Sequence, residues 1–137
     1  MNRWLFKTDP ETYSWNDLTA KKEDVWDGVA NPLALKHLRS VKKGDAVLIY
    51  HSGEDKAVMG LAEASSAGYP DPKDKSGKLA LVDLKVKAPL KNPVSLSDIK
   101  KEKKLASWEL VRMSRLSVMP VTEEQWQFVM RKSESAG

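Results

Sequence analysis

Cysteine is absent from the 137 residues, and histidine occurs only twice, at His37 and His51. The chain therefore has no disulfide, no thiolate metal site and no cysteine nucleophile, and it has too few histidines for the usual catalytic zinc site. No apolar run approaches the ~20 residues that a membrane helix needs, and the first residues are typical of a strand rather than of a leader peptide. We therefore expect a cytosolic protein that uses no cofactor and does not enter a membrane.

Several signatures of catalysis are missing as well. There is no Gly-x-Ser-x-Gly elbow, no glycine loop that would cradle phosphates and no closely spaced pair of carboxylates. His51 and Ser52 are neighbours, but adjacent side chains of a strand point to opposite faces, so they cannot pair as base and nucleophile. Asp27 could serve as an acid or base, although an Asp-Gly pair more often forms a turn. These points favour a protein that is not an enzyme.

The composition that remains is typical of one globular domain spanning residues 1–137, with 41% hydrophobic and 31% charged residues. The formal net charge is +4, and it is unevenly distributed. Residues 1–68 carry 9 Lys+Arg against 10 Asp+Glu, whereas residues 69–137 carry 14 against 9. A surface that contacts phosphates is therefore expected mainly in the second half of the chain.

The segment 45–52 is predicted to be the central strand. It follows a turn and contains a run of apolar residues, a pattern typical of a strand covered on both faces. Its last residues, Tyr50, His51 and Ser52, can all form hydrogen bonds where the strand reaches solvent. Residues 57–64 are predicted to pair with it as a hairpin, with Gly60 at a bulge or a close backbone contact.

The rest of the pattern predicts strands over residues 1–7, 79–87 and 112–121, the second of them ended by Pro89 and Pro93. Helices are predicted after four N-capping side chains: Ser14, Asn31, Ser97 and Thr122. In the last helix Trp126 is predicted to face the core, and the chain is expected to fray from Arg131. The lysines of residues 100–104 are interpreted as a solvated helix face, and residues 21–24 as a solvated run of charges. Five or so strands broken by short helices predict an α/β (α+β) fold, with a mixed, barrel-like sheet and peripheral helices.

A binding site for a flat heterocycle is predicted where Trp26 precedes the turn Asp27-Gly28. A large indole before such a turn is expected to be partly exposed, although a core position remains an alternative. Tyr50 and Ser52 share one face by strand periodicity, and His51 would join them if the strand kinks before Gly53. Aromatic faces combined with fixed donors and acceptors are what a nucleobase pocket requires.

Five ordered motifs carry a resemblance to a known family: Trp4–Pro10, Tyr13–Trp15, Trp26–Val29 with Asn31, Tyr50–Ser52, and Ser114–Val118 with Pro120–Thr122. Almost end to end, the chain resembles the EVE domain, which belongs to the PUA-like superfamily and is similar to the YTH readers of methylated adenine. The resemblance implies a mixed β-barrel of about five to six strands that binds a modified base, methylated or hydroxymethylated, in DNA or RNA without catalysis, as a monomer. The site residues that follow from the motifs are Lys7, Thr8, Ser14, Trp15, Trp26, Asp27, Gly28, Asn31, Tyr50, His51, Ser52, Ser114 and Arg115.

The sequence departs from the family at position 30, where Ala30 stands in place of a common arginine. This change removes one cation that would contact phosphate. An alternative function is therefore a binder of a free, nucleobase-like small molecule, for which phosphate contacts are not needed. A nucleotide-processing enzyme is a third alternative.

Overall fold

The computed structural model describes residues 2–135, which form seven strands, five α-helices and one 3₁₀ turn. The strands are β1 (Arg3–Thr8), β2 (Glu23–Trp26), β3 (Ala46–His51), β4 (Ala57–Ala64), β5 (Tyr69–Pro70), β6 (Ala80–Ser95) and β7 (Val118–Pro120). The helices are α1 (Trp15–Lys21), α2 (Pro32–Ser40), α3 (Leu96–Lys101), α4 (Glu109–Arg112) and α5 (Glu123–Glu134), and the 3₁₀ turn spans Lys103–Leu105. None of these helices is long and apolar enough to cross a membrane.

The strands form one mixed sheet in the order β2-β6-β4-β3-β1-β7, with β5 paired to β6. Only β1 and β3 pair in parallel; the other pairings within residues 2–135 are antiparallel. The two end strands β2 and β7 are not hydrogen-bonded to each other, so the sheet is not closed. The sheet nevertheless curls, which brings β1 and β2 together although they are far apart in the strand order. The ring centroids of Phe6 on β1 and Trp26 on β2 lie 5.7 Å apart. This confirms the predicted class, a barrel-like mixed sheet with peripheral helices.

The central strand was predicted correctly. Val47, Leu48, Ile49, Tyr50 and His51 are all buried, since β3 lies between β1 and β4 and is covered on both faces. The hairpin with β4 has the predicted bounds.

Gly60 is a close-contact position, as predicted from its place in a strand. A Cβ atom added there would lie 2.3 Å from the indole of Trp15, far inside van der Waals contact. The register between β3 and β4 also shifts at this level. Glycine at residue 60 therefore lets α1 lay Trp15 directly on the sheet.

Strand β6 corrects the prediction that Pro89 and Pro93 end it. The strand continues through both prolines to Ser95. Strand β2 covers β6 only from Val82 to Lys85, so within the described residues no strand pairs with the later part of β6 on that side, which is a free edge of the sheet. Proline is tolerated on such an edge.

Several other boundaries were wrong. The segment predicted as a strand over 112–121 is the end of α4, a loop and the short β7, anchored by buried Leu116. Helix α3 is capped by Ser95 instead of Ser97. The predicted solvated run 21–24 is exposed as far as Glu23, although it also contains the start of β2. The fraying expected from Arg131 is not seen up to Glu134, where α5 ends.

Candidate functional site

A cleft of about 550 Å³ opens where β1 and β2 approach each other without pairing. One wall is the end of β1 and the loop after it; the other is β2 and the segment 27–29 that follows. Five predicted site residues line the cleft: Lys7, Thr8, Trp26, Asp27 and Gly28. The lining residues that the sequence prediction left out are Asp9, Thr12, Tyr13, Lys21, Asp24, Val25, Val29 and Ser117.

Trp26 lines the cleft, but its side chain is buried. The prediction that it is partly exposed was wrong. Only 7% of the residue is accessible, since its ring packs against Phe6 at 5.7 Å and against the edge of Tyr13 at 6.0 Å. Trp26 lies in β2 rather than in a turn, which directs the indole into the curled sheet. The indole is therefore a fixed wall held by the core.

Tyr13 joins the two walls of the cleft. Its hydroxyl donates to Asp24 Oδ2 at 2.5 Å, and Lys21 Nζ lies 3.4 Å from the same oxygen. The hydrogen bond from Tyr13 holds the pKa of Asp24 below its usual value, and burial, together with this carboxylate, raises the pKa of Tyr13. The Asp24 carboxylate is thus paired with Tyr13 and Lys21. Asp9 and Asp27 form no ion pair within residues 2–135.

Lys7 is the only cation of β1 that borders the cleft. Its ammonium donates to the carbonyl of Ser114 at 3.0 Å and lies 5.7 Å from the centroid of the Tyr50 ring. Burial lowers the pKa of Lys7. Counting Lys7 and Lys21 against Asp9, Asp24 and Asp27, the cleft has a formal charge of −1.

The segment after β2 contributes Asp27 and Gly28 to the cleft lining, and the structure does not form the turn that the sequence predicts there. Gly28 has a φ of +76°, a conformation that glycine adopts without strain, and no atom lies within 4 Å of a Cβ built there. Asp27 beside it is exposed. This segment can offer a carboxylate and a backbone amide to the same ligand.

His51, Ser14 and Trp15 support the cleft from behind without lining it. The buried His51 accepts a hydrogen bond from the backbone N–H of Trp15 at Nε2 (2.9 Å), so its proton is on Nδ1, which faces Asp55 Oδ2 at 3.0 Å. Ser14 caps α1 together with Asp17. Nε2 of His51 therefore holds the start of α1 against β3, and Nδ1 contacts the loop between β3 and β4.

Tyr50 and Ser52 are also supporting residues. Tyr50 is buried, and the hydroxyl of Ser52 donates to the carbonyl of Thr8 at 3.4 Å. His51 and Ser52 form no hydrogen bond with each other, as strand geometry predicted.

The remaining predicted residues, Asn31, Ser114 and Arg115, line a neighbouring groove of about 320 Å³. Arg112 lines it too and gives the groove a formal charge of +2, so we call it the arginine groove. It adjoins the cleft through Lys7, whose ammonium contacts Ser114.

A curled, mixed sheet with peripheral helices, and a cleft between two strands that do not pair with each other, has the PUA-like fold that the sequence predicts. The chain belongs to the EVE domain family, which matches residues 2–132. Thymocyte nuclear protein 1 of Rattus norvegicus is 29% identical over 168 aligned positions, which cover 98% of this chain and 74% of the rat protein.

Solved structures agree with this family assignment. Rpa0253 from Rhodopseudomonas palustris is 42% identical, with a TM-score of 0.90 and 97% of this chain and 93% of that chain covered. The human THYN1 protein in complex with DNA containing 5-methylcytosine is 27% identical, with a TM-score of 0.91 and both chains fully covered.

Proposed function

We propose that this protein binds DNA that carries a modified cytosine and holds the modified base in the cleft without chemical change. The likeness to a human protein whose structure contains 5-methylcytosine DNA carries the proposal, because the likeness spans the whole chain. The cleft volume of about 550 Å³ lies within the range typical of small-ligand sites.

The chemistry of the cleft suits an extruded cytosine. The N4 amino group of cytosine is a donor, and carboxylates are its usual protein acceptors. Asp27 and Asp9 are the cleft carboxylates without an ion-pair partner among the described residues, and the amide of Gly28 lies beside Asp27. Trp26 and Tyr13 supply aromatic surface against which the base and its methyl group pack.

Phosphate contacts are assigned to the arginine groove. The cleft itself has a formal charge of −1, which disfavours a phosphate inside it, whereas Arg112 and Arg115 lie next to it with no carboxylate among the lining residues. Exposed Ala30 lies between Val29 of the cleft and Asn31 of the groove, and its side chain adds no cation to that of Lys7.

A binding role is also favoured over catalysis by the state of His51. Its two ring nitrogens are hydrogen-bonded to the α1 backbone and to Asp55, so neither is available to a substrate. A second candidate function is binding of a free nucleobase-like heterocycle. The negative charge of the cleft favours it, because such a ligand brings no phosphate into the cleft.

Fluorescence anisotropy with two duplexes, identical except for one 5-methylcytosine in place of cytosine, tests the proposal. We expect the methylated duplex to bind more tightly by at least about fourfold, the effect of burying one methyl group at about 0.8 kcal/mol. Equal affinity for the two duplexes would contradict the proposal. A log–log salt slope near zero for binding of the free base, with no binding of either duplex, would favour the free-heterocycle candidate.

A matched pair of variants tests the role of the cleft. Asp27→Asn is expected to weaken binding of both duplexes by about 1–3 kcal/mol, because cytosine and 5-methylcytosine carry the same N4 amino donor and the amide offers it one acceptor oxygen where the carboxylate offered two. Glu54→Gln removes one negative charge from an exposed loop outside the cleft and is expected to cause no such loss. The same loss in both variants would show that the Asp27 carboxylate does not read the base.

A further inference from the structure

A second basic, concave surface lies away from the cleft and from the arginine groove. This lysine groove, of about 520 Å³, is lined by Lys56, Lys100 and Lys101, by Asp55, and by the segment 95–97. Three ammonium groups against one carboxylate give it a formal charge of +2, opposite in sign to the charge of the cleft. The sequence pattern alone had interpreted Lys100 and Lys101 as a solvated face.

The charges of the lysine groove are available to a ligand. Lys56 and Lys100 have no acidic side chain within 4.0 Å among residues 2–135. Lys101 lies 4.0 Å from Asp98, but that carboxylate is shared with Lys132 at 3.9 Å. The one carboxylate of the groove, Asp55, is hydrogen-bonded to the ring of His51. The positive charge is therefore largely uncompensated within the groove.

The backbone holds Lys56 beside the lysines of α3. Lys56 has a φ of +43°, in the left-handed region that few residues other than glycine adopt. Its carbonyl accepts a hydrogen bond of 2.7 Å from the N–H of Leu96, the first residue of α3. The hydrogen bond joins the loop before β4 to the helix after β6, and the groove lies between them.

The lysine groove lies at the same end of the sheet as Thr8, which lines the cleft. Thr8 pairs with His51, His51 with Ala57, and Ala57 with Ser95. At ~4.8 Å between neighbouring strands, Ser95 is about 14 Å from Thr8 along the sheet. For DNA whose axis runs along this edge of the sheet, with about 3.4 Å of axial rise per phosphate of one strand, this separation corresponds to about four nucleotides.

We propose that the lysine groove binds the phosphates of the DNA about four nucleotides from the modified base, so that the DNA contacts the protein at both the arginine groove and the lysine groove. The proposal rests on the proposed function, because it takes the base in the cleft as the fixed point. It adds a partner surface that the family match and the motifs of the sequence do not assign. Its chemistry is that of lysine: mobile point charges that contact phosphates without selecting a base.

The test compares two triple variants that change the net charge equally. Lys56→Gln, Lys100→Gln and Lys101→Gln neutralise the groove. Lys43→Gln, Lys73→Gln and Lys75→Gln neutralise three exposed lysines outside it. The dissociation constant of each protein for the methylated and unmethylated duplexes is measured by anisotropy over a series of salt concentrations.

The groove variant is expected to lower the log–log salt slope by about 0.9 for each lost phosphate contact, with the preference for the methylated duplex unchanged. The control is expected to keep the wild-type slope. Equal slopes for the wild type and the groove variant, with the methyl preference intact, would overturn this inference alone. A reduced slope for the groove variant without any methyl preference in the wild type would support the groove and overturn the base assignment. Absence of DNA binding by the wild type at every salt concentration would overturn both.

Discussion

Replacing Trp26 by alanine should destabilise the protein far more than replacing Trp126. Trp26 is 7% exposed and packs on Phe6 and Tyr13, so Trp26→Ala leaves a cavity between β1 and β2 and is expected to cost about 3–5 kcal/mol of unfolding free energy. Trp126 is only half-buried on α5, with the guanidinium of Arg3 over its ring at 4.6 Å. Losing this partial packing and the cation–π contact, itself about 0.5–1 kcal/mol, is expected to cost clearly less. The order is the reverse of the one that the sequence predicts.

Denaturant titrations of the two alanine variants and the wild type measure this difference. The midpoint of Trp26→Ala should fall well below that of Trp126→Ala, with similar slopes, because both remain two-state. Trp26→Phe serves as the control for the cleft, since it keeps an aromatic core residue and is expected to retain most of the stability. Should Trp126→Ala be the less stable of the pair, the packing of β2 against β1 described above would be incorrect.

Three further predictions concern the supports of the cleft. Gly60→Ala is expected to cost about 1–3 kcal/mol in denaturant titrations, because the new methyl group meets the Trp15 ring; an unchanged midpoint would contradict the contact. His51→Ala is expected to cost about 1–3 kcal/mol of unfolding free energy, since it leaves the buried N–H of Trp15 unpaired. Asp55→Ala removes only the half-exposed partner of His51 and should cost less than about 1 kcal/mol. Equal costs for the two variants would contradict the supporting role of His51. Tyr13→Phe is expected to lower the free energy of unfolding at neutral pH, because it removes the hydrogen bond to Asp24. The folded-state pKa of Asp24 is depressed, so the stability that this carboxylate contributes is present above its ordinary pKa of 3.8 and is lost as the pH falls through the folded pKa. The difference in stability between variant and wild type should therefore shrink in acid; a constant difference would argue against the Tyr13–Asp24 hydrogen bond.

Short-range patterns in the sequence were enough for much of the fold. The apolar run of β3 and the largely apolar segment 57–64 identify the hairpin, since both strands are central in the sheet. The caps of α1, α2 and α5 were predicted because a side-chain cap depends only on residues within one turn. Strand β6 was cut short because the free side of its second half depends on where β2 ends, which local sequence does not contain.

The candidate site was partly predictable for a similar reason. The family motifs contain Lys7, Thr8 and the segment 26–28, and the structure brings these together in one cleft. Tyr13 and Asp24 were not predicted as a pair, because their hydrogen bond depends on β2 lying opposite the loop after β1. His51 was predicted to contact the ligand, but its polar atoms are directed to Trp15 and Asp55 instead. The polar residue types in the sequence do not distinguish a ligand contact from a structural hydrogen bond.

Nuclear magnetic resonance of the five tryptophan indoles, recorded during titration with the methylated duplex, tests most directly whether the base enters the cleft. Trp108 is fully buried outside the cleft and serves as the internal reference. We expect the indole N–H resonance of Trp26 to shift with the added methylated duplex, by more than with the unmethylated one, while the Trp108 resonance stays in place. Saturable binding of the methylated duplex that leaves the Trp26 resonance unmoved would contradict the proposal that this cleft holds the modified base.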